Sequence, residues 1–434
     1  MAGKRTNSVS RRGLLQAGVL GATGLTLADA LRLTHGESDG DAPGKATADS
    51  VLFLNLAGGP AHLDTLDMKE NLPEETRSEF KPIASKLPGL PVCEHLPKIA
   101  AAADQFTLIR GISHTTGDHP QGQAYIAAGN RPNPAVKYPS YGSVIMNELP
   151  GDPDLPPYVA IPQTEWSAGY MGDSFAPFKT NAVPKPGQAF SVRGISLAQG
   201  VTLDKVNRRE KLLKDLDTRL REVDTNSQLL EALDTFGQQA YSMITSERTQ
   251  KAFDVSLEPE SIRKLFGADE VSQSLLLGTR LIESGCRFVT VTSQGWDTHL
   301  DNFVGHKRLM PPLDAGFTAV LTALREKGLL DRTLVIAMGE FGRTPKINQN
   351  VGRDHYPRAN WCMMAGGGVK PGQLIGATDE KGELPTADTD IHPDDLGASI
   401  FSALGIDHHK EYYTKTGRPV ALIPNGRVIH ELFA

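Results

Sequence analysis

Cysteine is scarce in this 434-residue chain: Cys93, Cys286 and Cys362 are the only three. So small and odd a number argues against a disulfide scaffold. Cys286 and Cys362 sit in apolar runs and read as buried thiols; one disulfide stays open, and the spacing does not choose its pair. A dominant charge is missing as well. The 45 basic and 51 acidic residues nearly cancel, which speaks against nucleic acid as a partner. Beyond the N-terminal region no run approaches the ~20 apolar residues that span a bilayer, so no integral membrane segment is expected once that region is removed. No Gly-x-Gly-x-x-Gly follows the first expected strand and no Cys-x-x-Cys-His occurs, which disfavours a dinucleotide- or haem-dependent oxidoreductase.

What is present begins at the N-terminus. Lys4, Arg5, Arg11 and Arg12 lie in a stretch without acids, a weakly apolar run follows over 13–27, and Ala28-Asp29-Ala30 ends it. Basic start, short apolar middle and small-residue end are the three parts of a secretory signal. Ser10-Arg11-Arg12-Gly13-Leu14-Leu15 resembles the twin-arginine consensus. Residues 1–30 are therefore expected to be a twin-arginine signal peptide, and the protein to be periplasmic or extracellular. Substrates of that route fold before transport, often to take up a metal. Residues 31–50, rich in Gly, Asp and Ala, read as a flexible linker, and 51–434 as one domain.

Short apolar runs at 51–56, 106–110, 158–161, 287–292, 334–338 and 361–365 read as buried parallel strands. Helical patterns at 273–284 and 309–327 precede two of them. This alternation predicts an α/β fold, a sandwich of helices on both faces of a mostly parallel sheet. Residues 203–253 are charged, with leucines at spacings of three and four, and read as a helical insertion. In such sheets ligands bind beyond the carboxyl ends of the strands, which is where the polar clusters lie.

Each cluster sets His, Asp or Glu beside Gly directly after an expected strand: GGPAHLDT after the first, HTTGDH after the second, GWDTH after 287–292, and GEFGR with GRDHY after 334–338. Imidazole and carboxylate are the ordinary ligands of zinc and manganese, and carboxylate serves calcium. A lone loop histidine is ordinarily a surface or capping residue. Five of the 12 histidines (His62, His114, His119, His299 and His355) together with Asp64, Asp118, Asp297, Glu340 and Asp354 at strand ends point instead to a site for a divalent metal. Arg343 offers a planar fork of donors for an anion, or equally a structural ion pair with an acid such as Glu340. Pro120 opens a helical stretch whose N-terminus would aim N–H groups at an anion.

The motifs GGPAHLDTLD, HTTGDHPQGQAYIAAG, GWDTHLDNF, GEFGRTP and GRDHYP, in this order, resemble the DUF1501 family of exported bacterial proteins, over about 51–405. That family resembles the alkaline phosphatase and sulfatase superfamily, which implies an α/β/α sandwich holding one or two metals at the strand ends. The resemblance implies metal ligands at Asp297, His299, Glu340, Asp354 and His355, with His62 and Asp64 a few residues beyond the Gly58-Gly59 that replaces the superfamily's first aspartate. It places Asp118 or His119 at the nucleophile position, where neither is the usual residue, and Phe341 in place of a histidine. Arg343 would hold the anion's oxygens. The implied function is an exported metal-dependent hydrolase of phosphate or sulfate esters, using zinc, manganese or calcium on a small anionic ester or a polysaccharide-linked sulfate or phosphate. The alternative is a non-catalytic binding or assembly protein on the same fold.

Overall fold

The computed structural model describes residues 45–149, 151–188, 190, 192, 208, 245–414 and 416–433. The expected signal peptide, most of the linker, and the expected insertion up to residue 244, residue 208 apart, lie outside the described residues. Its far end is inside them, as the helix Glu247–Phe253.

Eight strands form the central sheet: β1 (Ser50–Leu56), β2 (Thr107–Ile112), β3 (Tyr158–Ile161), β4 (Phe178–Lys179), β5 (Phe288–Ser293), β6 (Thr333–Met338), β7 (Asn360–Ala365) and β8 (Gln373–Ile375). They lie in the order β8-β2-β7-β6-β1-β5-β3-β4. β1 sits at the centre, parallel to β5 on one side and β6 on the other. Successive side chains of a strand point to opposite faces, and β1 shows the consequence. Leu52, Leu54 and Leu56 enter one core, with Leu277 and Phe317 of helices α3 (Glu270–Ser284) and α4 (Asn302–Glu326). Val51 and Phe53 enter a second core, with Ile126, Tyr141 and Ile400 of helices α1 (His119–Ala128), α2 (Tyr141–Glu148) and α5 (Pro393–Ala403). The expected α/β sandwich with a mostly parallel sheet is thus observed.

Three expectations are corrected. β7, read as parallel, pairs antiparallel with both β2 and β6. Its apolar run carries no direction. The chain leaves the carboxyl end of β6 and re-enters the sheet at Asn360 at that same end, so the 339–359 connection begins and finishes at one end of the sheet. Residues 47–49, read as linker, are pinned: Thr47 and Ala48 donate backbone N–H bonds to the Ala403 carbonyl at 2.8 and 2.9 Å, and Arg332 pairs with Asp49. Helix α4 begins at Asn302 rather than near 309, because Phe303 and His306 of its first turns are buried. The three cysteines are free and buried; for Cys286 and Cys362 this is what their apolar runs suggested. No helix among the described residues is long and apolar enough to cross a membrane.

Candidate functional site

Asp297 is the centre of the only cluster of potential metal-holding groups found among the described residues, which joins it to His119 and His355. It follows β5, and its backbone packs on Gly58 after β1. A Cβ at Gly58 would stand 2.2 Å from the Asp297 nitrogen, so only glycine permits this approach. His119 opens helix α1. His299 follows two residues after Asp297, and His355 reaches the site on a two-residue ladder in which it pairs with Arg343.

The three imidazoles share one arrangement. His119 donates from Nδ1 to Glu340 Oε1 at 2.6 Å, His299 from Nδ1 to Asp354 Oδ1 at 2.6 Å, and His355 from Nδ1 to the Gly117 carbonyl at 2.8 Å. Each ring is thereby oriented from behind, and each Nε2 faces Asp297. Nε2 of His299 and His355 lie 3.1 and 3.2 Å from Asp297 Oδ1, and Nε2 of His119 lies 3.2 Å from Oδ2. His119 Nε2 is close to that oxygen yet misaligned for a hydrogen bond, and it is buried with no hydrogen-bond partner. The two Nε2 atoms of His299 and His355 are 2.9 Å apart. Two bare ring nitrogens at that distance require a shared proton or a cation.

The electrostatics agree. Burial pushes the Asp297 carboxyl up, but the Arg343 hydrogen bond and charge, with help from His119 and His355, outweigh it and bring its pKa to about 2. The hydrogen bond to Glu340 raises the His119 pKa against its burial, and the charges of Glu340 and Asp297 add to the rise. A ring set between two carboxylates calls for positive charge, from a proton or from an ion. Burial lowers the pKa of His355, and the Arg343 and His119 charges lower it further. The His299 hydrogen bond lowers that of Asp354.

The remaining expected site residues stand elsewhere. Glu340 is fully buried, and its oxygens are occupied by the Gly58 N–H, Gln123 Nε2 at 2.7 Å and His119, so it supports a ligand from behind. Asp118 is exposed and caps helix α1, accepting from the Gln121 N–H at 3.1 Å. Arg343, considered as an anion clamp, is instead entirely buried; it donates to the carbonyls of Gly58, Gly59, Trp296 and Arg353 and to Asp297. It ties the loops together and has no face toward a substrate. Asp64 is buried and engaged by Arg353 at 2.7 and 3.0 Å and by Asn302 at 2.8 Å. His62 is buried beside Gly342 and bonds the Gly382 carbonyl at 2.8 Å. His114 bonds the Glu340 carbonyl at 2.7 Å and so fixes the Glu340 loop.

Sequence reasoning missed Gln123. It lies four residues after His119, on the same face of α1, and links Asn55, Trp166 and Glu340. The i,i+4 spacing from His119 was the available signal. Gly122 between them lets the helix approach, since a Cβ there would already press on Glu340 at 3.2 Å.

The chain matches the family described as "Protein of unknown function (DUF1501)" over residues 48–433. It belongs to the DUF1501 family. No curated protein matches it. Among solved structures, Ps i-CgsB is similar over 82% of this chain and 72% of that one, with 12% identity and a TM-score of 0.38. The lipoteichoic acid synthase LtaP from Listeria monocytogenes is similar over 91% and 80%, with 10% identity and a TM-score of 0.38. A mutant TAB5 alkaline phosphatase with Mg bound in its M3 site is similar over 83% and 98%, with 11% identity and a TM-score of 0.37.

Proposed function

We propose that this DUF1501 member is a metal-dependent hydrolase of phosphate or sulfate esters, exported by way of its N-terminal twin-arginine segment. The observation that carries the reading is the convergence of three Nε2 atoms, each ring held from behind through Nδ1, on one carboxylate. His119, Asp297 and His355 would hold a divalent ion, with His299 within reach as a further donor. The buried, unpartnered Nε2 of His119 is the group such an ion would satisfy. Three imidazoles and a carboxylate favour zinc or manganese over calcium, which prefers oxygen. Bound there, a metal would supply Lewis acidity toward water and the ester's oxygens.

The chain's own residues set the conditions. Gln123 and the Gly58 N–H fix Glu340, Glu340 fixes the His119 tautomer, Asp354 fixes His299, and Arg343 keeps Asp297 ionised. Water adds to phosphorus or sulfur, the ester bond breaks, and the alcohol departs with a proton. The binding-protein reading draws its support from α1, which offers His119 and an exposed Asp118 at its start and no hydroxyl or thiol there.

The test is metal content by mass spectrometry of protein recovered from the periplasmic fraction, for wild type and Asp297→Ala/His355→Ala. One or two ions per wild-type molecule are expected, lost in the variant with an unchanged circular-dichroism spectrum. Wild type that carries no ion after growth with zinc, manganese and calcium would overturn the hydrolase reading. Retention in the cytoplasm would overturn export.

A further inference from the structure

Beside the cluster lies an open cleft of about 410 Å³, bounded by the ends of β1 and β5 and by the loop after β3. Its walls carry an unusual balance of groups. They contain no lysine or arginine, and Ala57 is their only apolar side chain. Asp297 and Glu165 both line it, both exposed. Gln163 and Gln294 are exposed on it as well, and their side chains make no hydrogen bond to any described residue. Thr292 lines it too, its hydroxyl committed to the Gln163 carbonyl at 2.9 Å. Arg343, which touches Asp297, is spent on carbonyls, and Arg308 approaches Gly295 from α4 without lining the cleft.

Each class of ligand meets this wall differently. An acyl or aromatic group would find almost no apolar surface to cover it. A second anionic group would meet the Asp297 and Glu165 carboxylates and no lysine or arginine. Free amides, each with two donors and an acceptor, suit a ligand dense in neutral groups that both donate and accept. Adjacent hydroxyls on a ring have that character, and the Glu165 carboxylate can accept from them.

We infer that the cleft holds a neutral, hydroxyl-rich glycosyl moiety, so that the substrate is a singly charged ester whose one anionic group sits at the His119–Asp297–His355 cluster. For the position of the ester the inference rests on the hydrolase reading. For the contents of the cleft it does not. Gln163, Glu165 and Gln294 are then the specificity residues, and multiply sulfated or phosphorylated glycans are excluded by charge.

The experiment is binding of the full mature protein, metal-loaded and chelator-stripped, to an array of neutral, singly charged and multiply charged oligosaccharides. Wild type is expected to bind neutral and singly charged glycans, and to keep the neutral ones after stripping. Gln163→Leu/Gln294→Leu should lose at least tenfold in that binding with metal content unchanged, and Glu165→Gln should gain several-fold toward multiply charged glycans. Failure to bind any glycan, preference of the wild type for multiply charged ones, or binding unchanged in the double variant would overturn the inference. So would an Arg308→Gln variant that loses charged-glycan binding as the double variant keeps it. A protein that takes metal and no glycan defeats this inference alone; one that takes neutral glycans and no metal defeats the hydrolase reading alone.

Discussion

Two regions of this molecule look alike in sequence and behave as opposites. GGPAHLDT and GWDTH each set a His and an Asp in a loop after a parallel strand. In the first, Asp64 is wholly buried, and its oxygens are taken by Arg353 and Asn302. Nearby His306 is equally enclosed, accepting from the Ala61 N–H at 3.1 Å and donating to the Asn302 carbonyl at 3.0 Å. In the second, Asp297 is 44% exposed, opens on a cleft, and faces three ring nitrogens, one of them without a hydrogen-bond partner. The first is a closed knot: its carboxylate is spent on neighbours, and the one lone ring nitrogen there, His62 Nδ1, is sealed from solvent. The second is an open one held ready by partners behind it. Ligand chemistry is decided by unspent lone pairs and access, and residue type supplies neither.

The sharpest way to break this contrast is Asp64→Ala, which leaves the Arg353 guanidinium buried and uncompensated. Loss of about 3–5 kcal/mol of stability is expected, measured by urea unfolding, with metal content per folded molecule unchanged. Loss of metal with little loss of stability would place Asp64 in the functional site.

The next effect is on pH. Burial lowers the His306 pKa to about 4, against an unfolded value near 6.5. The folded state therefore prefers the neutral ring, and its contribution is complete above pH ~6.5. As pH falls from there toward about 4 the unfolded chain takes up the proton first, and roughly 3 kcal/mol is lost; below that both states are protonated and this dependence ends. A His306→Gln variant, less stable at neutral pH, should show a flatter profile across that window. An unchanged slope would remove His306 from the account.

The smallest effect sharpens the open side. Gln123→Leu removes the donor that fixes Glu340 and, through it, His119. A drop of about 10–100-fold in metal affinity is expected, measured by competition with a chelator, with circular dichroism unchanged. Affinity equal to wild type would show that Glu340 is held well enough without it.

Much of the fold was legible because burial imposes pattern. Six of the eight strands were readable within two residues, since a strand buried on both faces must be continuously apolar; the short, half-exposed edge strands β4 and β8 were not. The direction of β7 was not, because it depends on the end of the sheet to which the 339–359 connection returns. The site was legible as a set of loops and illegible as a set of roles. Glu340, Arg343 and Asp64 carry the chemistry of ligands and clamps, yet each has its hydrogen-bonding capacity spent on neighbours distant in sequence. Gln123 carries no such signal and sits at the centre of the support.

By itself the sequence determined six of the eight sheet strands, most of the helices that cover them, the end of the sheet at which polar groups collect, and the family. These follow from local propensity, periodicity and motif order, which short segments carry. Only the tertiary structure decided which carboxylates stay open, which are closed by arginine, and what lines the cleft. Those outcomes turn on contacts between β1, β5, β6 and α1, tens to hundreds of residues apart along the chain, and no short window of sequence contains them.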